Sequence, residues 1–147
     1  MFKSIVVGTD GSETATEAVR QAVDLAKQIS AKLELVSAYE PVSDQRLREE
    51  RTEVPDDVQW MVNPREDVDA TLRDAAELAK QNDVQVEIYA RQGDPADAIL
   101  DVAEEQNADL IIVGNKGMTG AKRFLLGSVP NKVSHHAPCS VLIIRTT

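Results

Sequence analysis

Five short apolar runs, separated by segments of helical periodicity, constrain this chain more than any other feature. The runs are Ile5-Val6-Val7 ending at Gly8, Leu33 to Tyr39, Val84 to Tyr89, where apolar and polar residues alternate, Leu110 to Val113, and Val141 to Ile144. Between them, Ala15, Ala18, Val19, Ala22, Leu25, Ala26 and Ile29 fall on one helical face, and Val68, Leu72, Ala75, Ala76 and Ala79 mark a second helix starting near Arg65. Ser12 or Thr14 can cap the first helix, Thr14 having capping-box spacing to Glu17. Asp94-Pro95 supplies an N-cap and a first-turn proline for a third helix, whose stripe is Ala96, Ile99, Leu100 and Ala103. Strands that are apolar throughout must be covered on both faces, so the pattern predicts an α/β fold: a doubly wound five-stranded parallel sheet with helices on both faces.

Ligands of such sheets sit at the carboxyl ends of the strands, where the strand order reverses. If strands one and four are neighbours there, two loops meet. One is Gly8-Thr9-Asp10-Gly11-Ser12; the other is Gly114-Asn115-Lys116-Gly117, followed after nine residues by Gly127-Ser128 and a helical segment from Val129 to His136. A strand, a glycine-rich loop and a helix start make a phosphate cradle. Glycine lets the backbone approach an anion, and the first helical N–H groups point outward at the positive end of the dipole. Neither G-x-x-x-x-G-K-[ST] nor G-x-G-x-x-G is present, and the missing P-loop lysine argues against efficient nucleoside triphosphate hydrolysis. By themselves the glycines fit an ordinary strand-to-helix loop equally well.

At 147 residues the chain suits one domain with a good core. No apolar run approaches the ~20 residues of a membrane span, and no leader is visible. The single cysteine, Cys139, excludes an internal disulfide framework and fits a reducing compartment, so a cytoplasmic location is expected. A formal net charge of −9 argues against nucleic-acid and anionic-membrane partners. A phosphate must then be held by local dipoles. Residues 40–64 are polar and charged, with Pro41, Pro55 and Pro64. They read as a surface loop, or as a lid that Trp60 and Met61 could anchor.

The chain resembles the universal stress proteins over nearly its whole length. The resemblance rests on Ile5 to Ala15, on Ala108 to Gly114, on the spacing Gly114-x2-Gly117-x9-Gly127-Ser128, and on the tail from His135 to Ile144. It implies a single Rossmann-like, HUP-type domain over residues 1–147 with strand order 3-2-1-4-5. The glycine spacing marks the family's nucleotide-binding branch, so it further implies an adenine nucleotide (ATP, AMP or cyclic AMP), with Mg2+ or Mn2+ accompanying the phosphates. Gly8, Thr9 and Asp10 match the loop at the adenosine end, where a carboxylate can accept from an amino group or a hydroxyl. An Asp-Gly turn is the alternative for Asp10. Ala38 matches the position whose backbone meets the adenine edge. Gly114 and Gly117, with Val113 before them, match the ribose and phosphate side, and Lys116 in the same loop can pair with a phosphate or simply face solvent. Gly127, Ser128 and Val129 match the phosphate clamp, with Ser128 as both N-cap and phosphate donor; a cap alone is the alternative for Ser128. The resemblance also implies a homodimer through the exposed edge strand Val141 to Ile144.

Pro130 stands two places after Ser128, where many members carry Ser or Thr. It offers neither N–H nor hydroxyl. Losing one hydrogen bond at a terminal phosphate weakens ATP by about ten- to a hundredfold without touching AMP or cyclic AMP, so preference for fewer phosphates is expected. Lys122 and Arg123 lie in the spacer, where they can screen phosphate charge or simply face solvent. His135 and His136 are adjacent and do not form a metal pair; they suit the end of the last helix. No basic cluster adjoins Cys139, and no nucleophile-base-acid set is evident. The expected role is a nucleotide-binding sensor or regulator in the stress response, with no catalytic residue. A slow metal-dependent ATPase, or an interaction module with a vestigial nucleotide site, are the alternatives.

Overall fold

The computed structural model describes residues 2–39, 64–115 and 126–146. The elements are β1 (Ser4–Gly8), α1 (Glu13–Ile29), β2 (Lys32–Tyr39), α2 (Pro64–Gln81), β3 (Val86–Gln92), α3 (Pro95–Glu105), β4 (Leu110–Gly114), α4 (Ser128–His136) and β5 (Ser140–Ile144). All strand pairs are parallel and the order is β3-β2-β1-β4-β5, as expected. β1 sits at the centre, between β2 on one side and β4 on the other.

Alternation along the strands divides the core in two. Ile5, Val7, Leu33, Leu35, Leu110 and Ile112 pack under α1 and α2 with Val19, Ala22, Leu72 and Ala79. Val6, Val36, Ile111 and Val113 pack under α3 and α4 with Ile99, Val102, Val129 and Val133. Such a sheet, apolar on both faces, is why the strands read as continuous apolar runs.

Helix starts follow the local chemistry. Ser12 caps α1, its hydroxyl accepting from Ala15 N–H at 3.2 Å. Asp94 caps α3 through Asp97 N–H, with Pro95 in the first turn. Pro64, read as the last residue of the charged segment, instead opens α2, where its missing N–H costs nothing. The rest of that segment, 40–63, with Trp60 and Met61, lies outside the described residues, so its reading as loop or lid stands open. α4 departs from expectation. Gly127, in extended conformation and without a side-chain bond, occupies the cap, and Ser128 is the first helical residue. Pro130 is therefore third in the helix and not second. β3 also shifts: it runs from Val86 to Gln92 and not from Val84 to Tyr89.

Candidate functional site

The carboxyl ends of β1, β2 and β4 converge, as the strand order requires. Pairing of β1 with β2 reaches Gly8 opposite Val36, and Thr9 N–H then donates to Val36 O at 2.9 Å. There β1 ends, while β2 runs on through Ser37, Ala38 and Tyr39 beside β3. Within a strand, backbone N–H and C=O groups point alternately to the two sides. Lys32 N–H and Val36 O face β1, whereas Leu33 N–H and Tyr39 O face the other side. Ala38 therefore turns its N–H and C=O towards β1, beyond the last β1 residue that could pair with them.

Across β1, the end of β4 is fixed to the head of α4. Gly127 N–H donates to Asn115 O at 2.9 Å, and Asn115 N–H donates to Ile144 O at 3.0 Å. The first intrahelical bond of α4 runs from Asn131 N–H to Gly127 O. The Ser128 and Val129 amides precede that bond and have no partner within the helix. Pro130 contributes no N–H to this set. Ser128 is exposed, Val129 and Gly127 are buried.

Gly114 lies at the end of β4. Its φ is not positive, and a Cβ there would meet Thr146 Cγ2 and Oγ1 at 3.7 Å and Ala18 Cβ at 4.0 Å, which is ordinary contact. Neither backbone strain nor described packing requires a glycine at this point. Gly11 is the opposite case: its φ is +81°, and an added Cβ would stand 3.0 Å from Thr71 Oγ1. That glycine is demanded by the fold.

The β1 loop is braced by its own side chains. Thr9, 2% exposed, accepts from Gly11 N–H through Oγ1 at 3.2 Å. Asp10 is exposed and accepts from Ser12 N–H through Oδ1 at 2.9 Å. Asp10 thus makes the turn that was the alternative to ligand contact, and this bond engages Oδ1 alone.

Of the residues singled out in the sequence, Gly8, Thr9, Asp10 and Ala38 lie at the ends of β1 and β2, and Val113, Gly114, Gly127, Ser128 and Val129 at the end of β4 and the head of α4. Lys116, Gly117, Lys122 and Arg123 lie outside the described residues. Asn115 was not singled out, although it joins β4, β5 and α4; an asparagine beside a glycine carries no signal that separates this role from a turn. Among the described residues, no group of three or more His, Cys, Asp or Glu side chains is placed to hold a metal ion. Burial pushes the Cys139 thiol up, and the Asp109 carboxylate adds to the effect, so this cysteine is no ready nucleophile. No helix among the described residues is long and apolar enough to cross a membrane.

The model of the universal stress protein family matches residues 1–145. A universal stress protein of Mycobacterium tuberculosis is 38% identical, over 99% of this chain and 98% of its own. Universal stress protein YxiE of Bacillus subtilis is 35% identical, over 99% of this chain and 100% of its own. Among solved structures, a universal stress protein in complex with cAMP aligns with a TM-score of 0.73 and 33% identity, covering 99% of this chain and 98% of that one. The universal stress protein from Archaeoglobus fulgidus in complex with dAMP aligns with a TM-score of 0.68 over 98% of both chains, and at 23% identity it shows the fold alone.

Proposed function

The chain belongs to the universal stress protein family, and we propose that it is an adenine-nucleotide-binding member acting as a sensor or regulator in the stress response. The observation that carries this reading is a pair of backbone edges, at the carboxyl end of β2 and at the head of α4, whose groups have no hydrogen-bond partner among the described residues. On one side Ala38 presents an N–H and a C=O past the end of β1. The adenine edge offers the matching acceptor and amino donor. On the other side the Ser128 and Val129 amides await an anion at the positive end of α4.

In this reading Gly8 and Thr9 form the floor beside the nucleoside. Asp10 receives an amino group or hydroxyl on the oxygen that its turn leaves over. Val113 and Gly114 lie against the ribose. Gly127, Ser128 and Val129 hold the phosphate, joined by Lys116 and Gly117. Mg2+ or Mn2+ would accompany a polyphosphate. The relative in complex with cAMP supports the nucleotide class. We further propose a cytoplasmic homodimer joined through β5, whose Leu142 and Ile143 are 40% and 37% exposed.

Titration calorimetry with AMP, cyclic AMP, ATP and GMP tests the reading. Saturable one-to-one binding of the adenine nucleotides, weakened at least about tenfold by Asp10→Ala through loss of hydrogen bonds to a charged group, is expected. Equal affinity for GMP, or no binding to any of the four, overturns it. Mass spectrometry of small molecules released from the denatured protein identifies a nucleotide that co-purifies.

A further inference from the structure

Asn115 bonds to Ile144, Gly127 and Thr146. Its N–H donates to Ile144 O at 3.0 Å, and its carbonyl accepts from Gly127 N–H at 2.9 Å. Its side-chain Oδ1 accepts both the Thr146 N–H at 2.9 Å and the Thr146 hydroxyl at 3.1 Å. One residue thereby joins the end of β4, the head of α4 and the segment that follows β5. The Ser128 and Val129 amides lie one and two residues beyond Gly127, so whatever sets Gly127 sets them.

We propose that Asn115 is the positioning residue of the phosphate cradle, tying the head of α4 to the segment after β5. This rests on the adenine-nucleotide reading given above. The backbone bonds of Asn115 tie β4 to β5 and to α4. The two bonds at Oδ1 fix Asn115 against Thr146, and Gly127 then has a fixed acceptor. The residue type follows. Leucine has the volume but no acceptor. Aspartate has the acceptor but sets a negative charge near the phosphate. Asparagine accepts two bonds and stays neutral. Because β5 is the proposed dimer strand, order at its end and order in the cradle reinforce one another, and such coupling is reciprocal.

The test combines two readouts on the full chain. The first is amide hydrogen exchange at Gly127 without nucleotide. The second is the affinity for AMP beside that for adenosine, which lacks the phosphate. Asn115→Leu should speed Gly127 exchange and weaken AMP, each by about tenfold, while adenosine stays within about twofold. Asn115→Asp should keep the Gly127 protection and still weaken AMP by repulsion. Thr146→Val, which removes only the hydroxyl bond, should act in the same direction with a smaller effect, and serves if Asn115→Leu fails to fold. Unchanged Gly127 exchange in Asn115→Leu, or in Thr146→Val where Asn115→Leu fails to fold, overturns the proposal. So does an equal loss for AMP and adenosine, which marks general damage. If the unmutated protein binds neither, the nucleotide reading falls, and Gly127 exchange alone still decides whether Asn115 positions α4.

Discussion

Tyr89 donates its hydroxyl to the buried carboxylate of Glu34 at 2.8 Å, across the pairing of β3 with β2. Glu34 is only 2% exposed, and its cross-strand neighbour is another acid, Glu87. Two like charges opposite each other destabilise a sheet. Lys32 resolves the conflict, its Nζ standing 3.3 Å from Glu34 and 3.2 Å from Glu87. Burial, followed by the hydrogen bonds to Glu34 and Glu87, holds the Tyr89 hydroxyl well above its usual titration range, so the phenol remains a donor through the physiological range.

This cluster sets a pH window for stability. The hydrogen bond from Lys32, then that from Tyr89, lowers Glu87 below its ordinary value of 4.5. The hydrogen bond to Glu87 raises Lys32 above its ordinary 10.5, with Glu34 adding to it. A lowered acid stabilises above its unfolded value and loses that contribution as pH falls through the folded one. A raised lysine stabilises below its unfolded value and loses the contribution as pH climbs. Urea midpoints of the unmutated protein should exceed those of Glu87→Gln on a plateau between these limits. The two curves should converge in acid and again in alkali. A constant offset at every pH would contradict this.

Gly11→Ala should destabilise the fold by about 1–2 kcal/mol, since the left-handed φ of +81° penalises a Cβ and Thr71 crowds it. Pairing it with Thr71→Ala should recover the contact but not the backbone cost. Chemical denaturation of the single and double variants measures both parts. Full recovery in the double variant would show that φ contributes nothing.

Pro130 should hold ATP to no more than about tenfold tighter binding than AMP or cyclic AMP. Its shift to third helical place leaves this expectation intact, because the first intrahelical bond begins at Asn131 and the third N–H is still one that a phosphate could use. Pro130→Ser should raise the ATP-to-AMP affinity ratio. Calorimetry that finds ATP more than tenfold tighter in the unmutated protein refutes the discrimination argument.

Leu142→Asp should move the protein from dimer to monomer in light scattering, because it places charge on the exposed strand proposed as the interface. An unchanged mass would remove β5 from the interface.

Much of the fold was legible in the sequence because its signals were local. Ile5-Val6-Val7-Gly8 reads as a strand from its short β-branched run and the glycine that ends it, and Asp94-Pro95 marks a helix start on chemistry alone. β3 was displaced for a physical reason. Val84 continues the alternation of Val86 and Ile88, yet its N–H turns back to Ala79 O at 3.0 Å and closes the end of α2. Arg91 and Gln92 carry no apolar signal and join the strand only because Ala38 and Tyr39 are there to pair with them. Glu34 shows the same limit, since its burial depends on Lys32 and on Tyr89, 55 residues away. In the candidate site the glycines and Asp10 were visible as types. The cap at Gly127 was not, because serine outranks glycine as a capping residue and the bond to Asn115 that holds Gly127 is tertiary. The open backbone edge at Ala38 depends on where β1 stops, which periodicity does not fix.

Backbone amide NMR during a titration with AMP reads nucleotide binding residue by residue. Saturable shifts concentrated at Thr9, Asp10, Ala38, Gly114, Gly127, Ser128 and Val129 are expected. Saturation that leaves these amides unmoved, with the shifts gathered elsewhere on the fold, would contradict the proposed site.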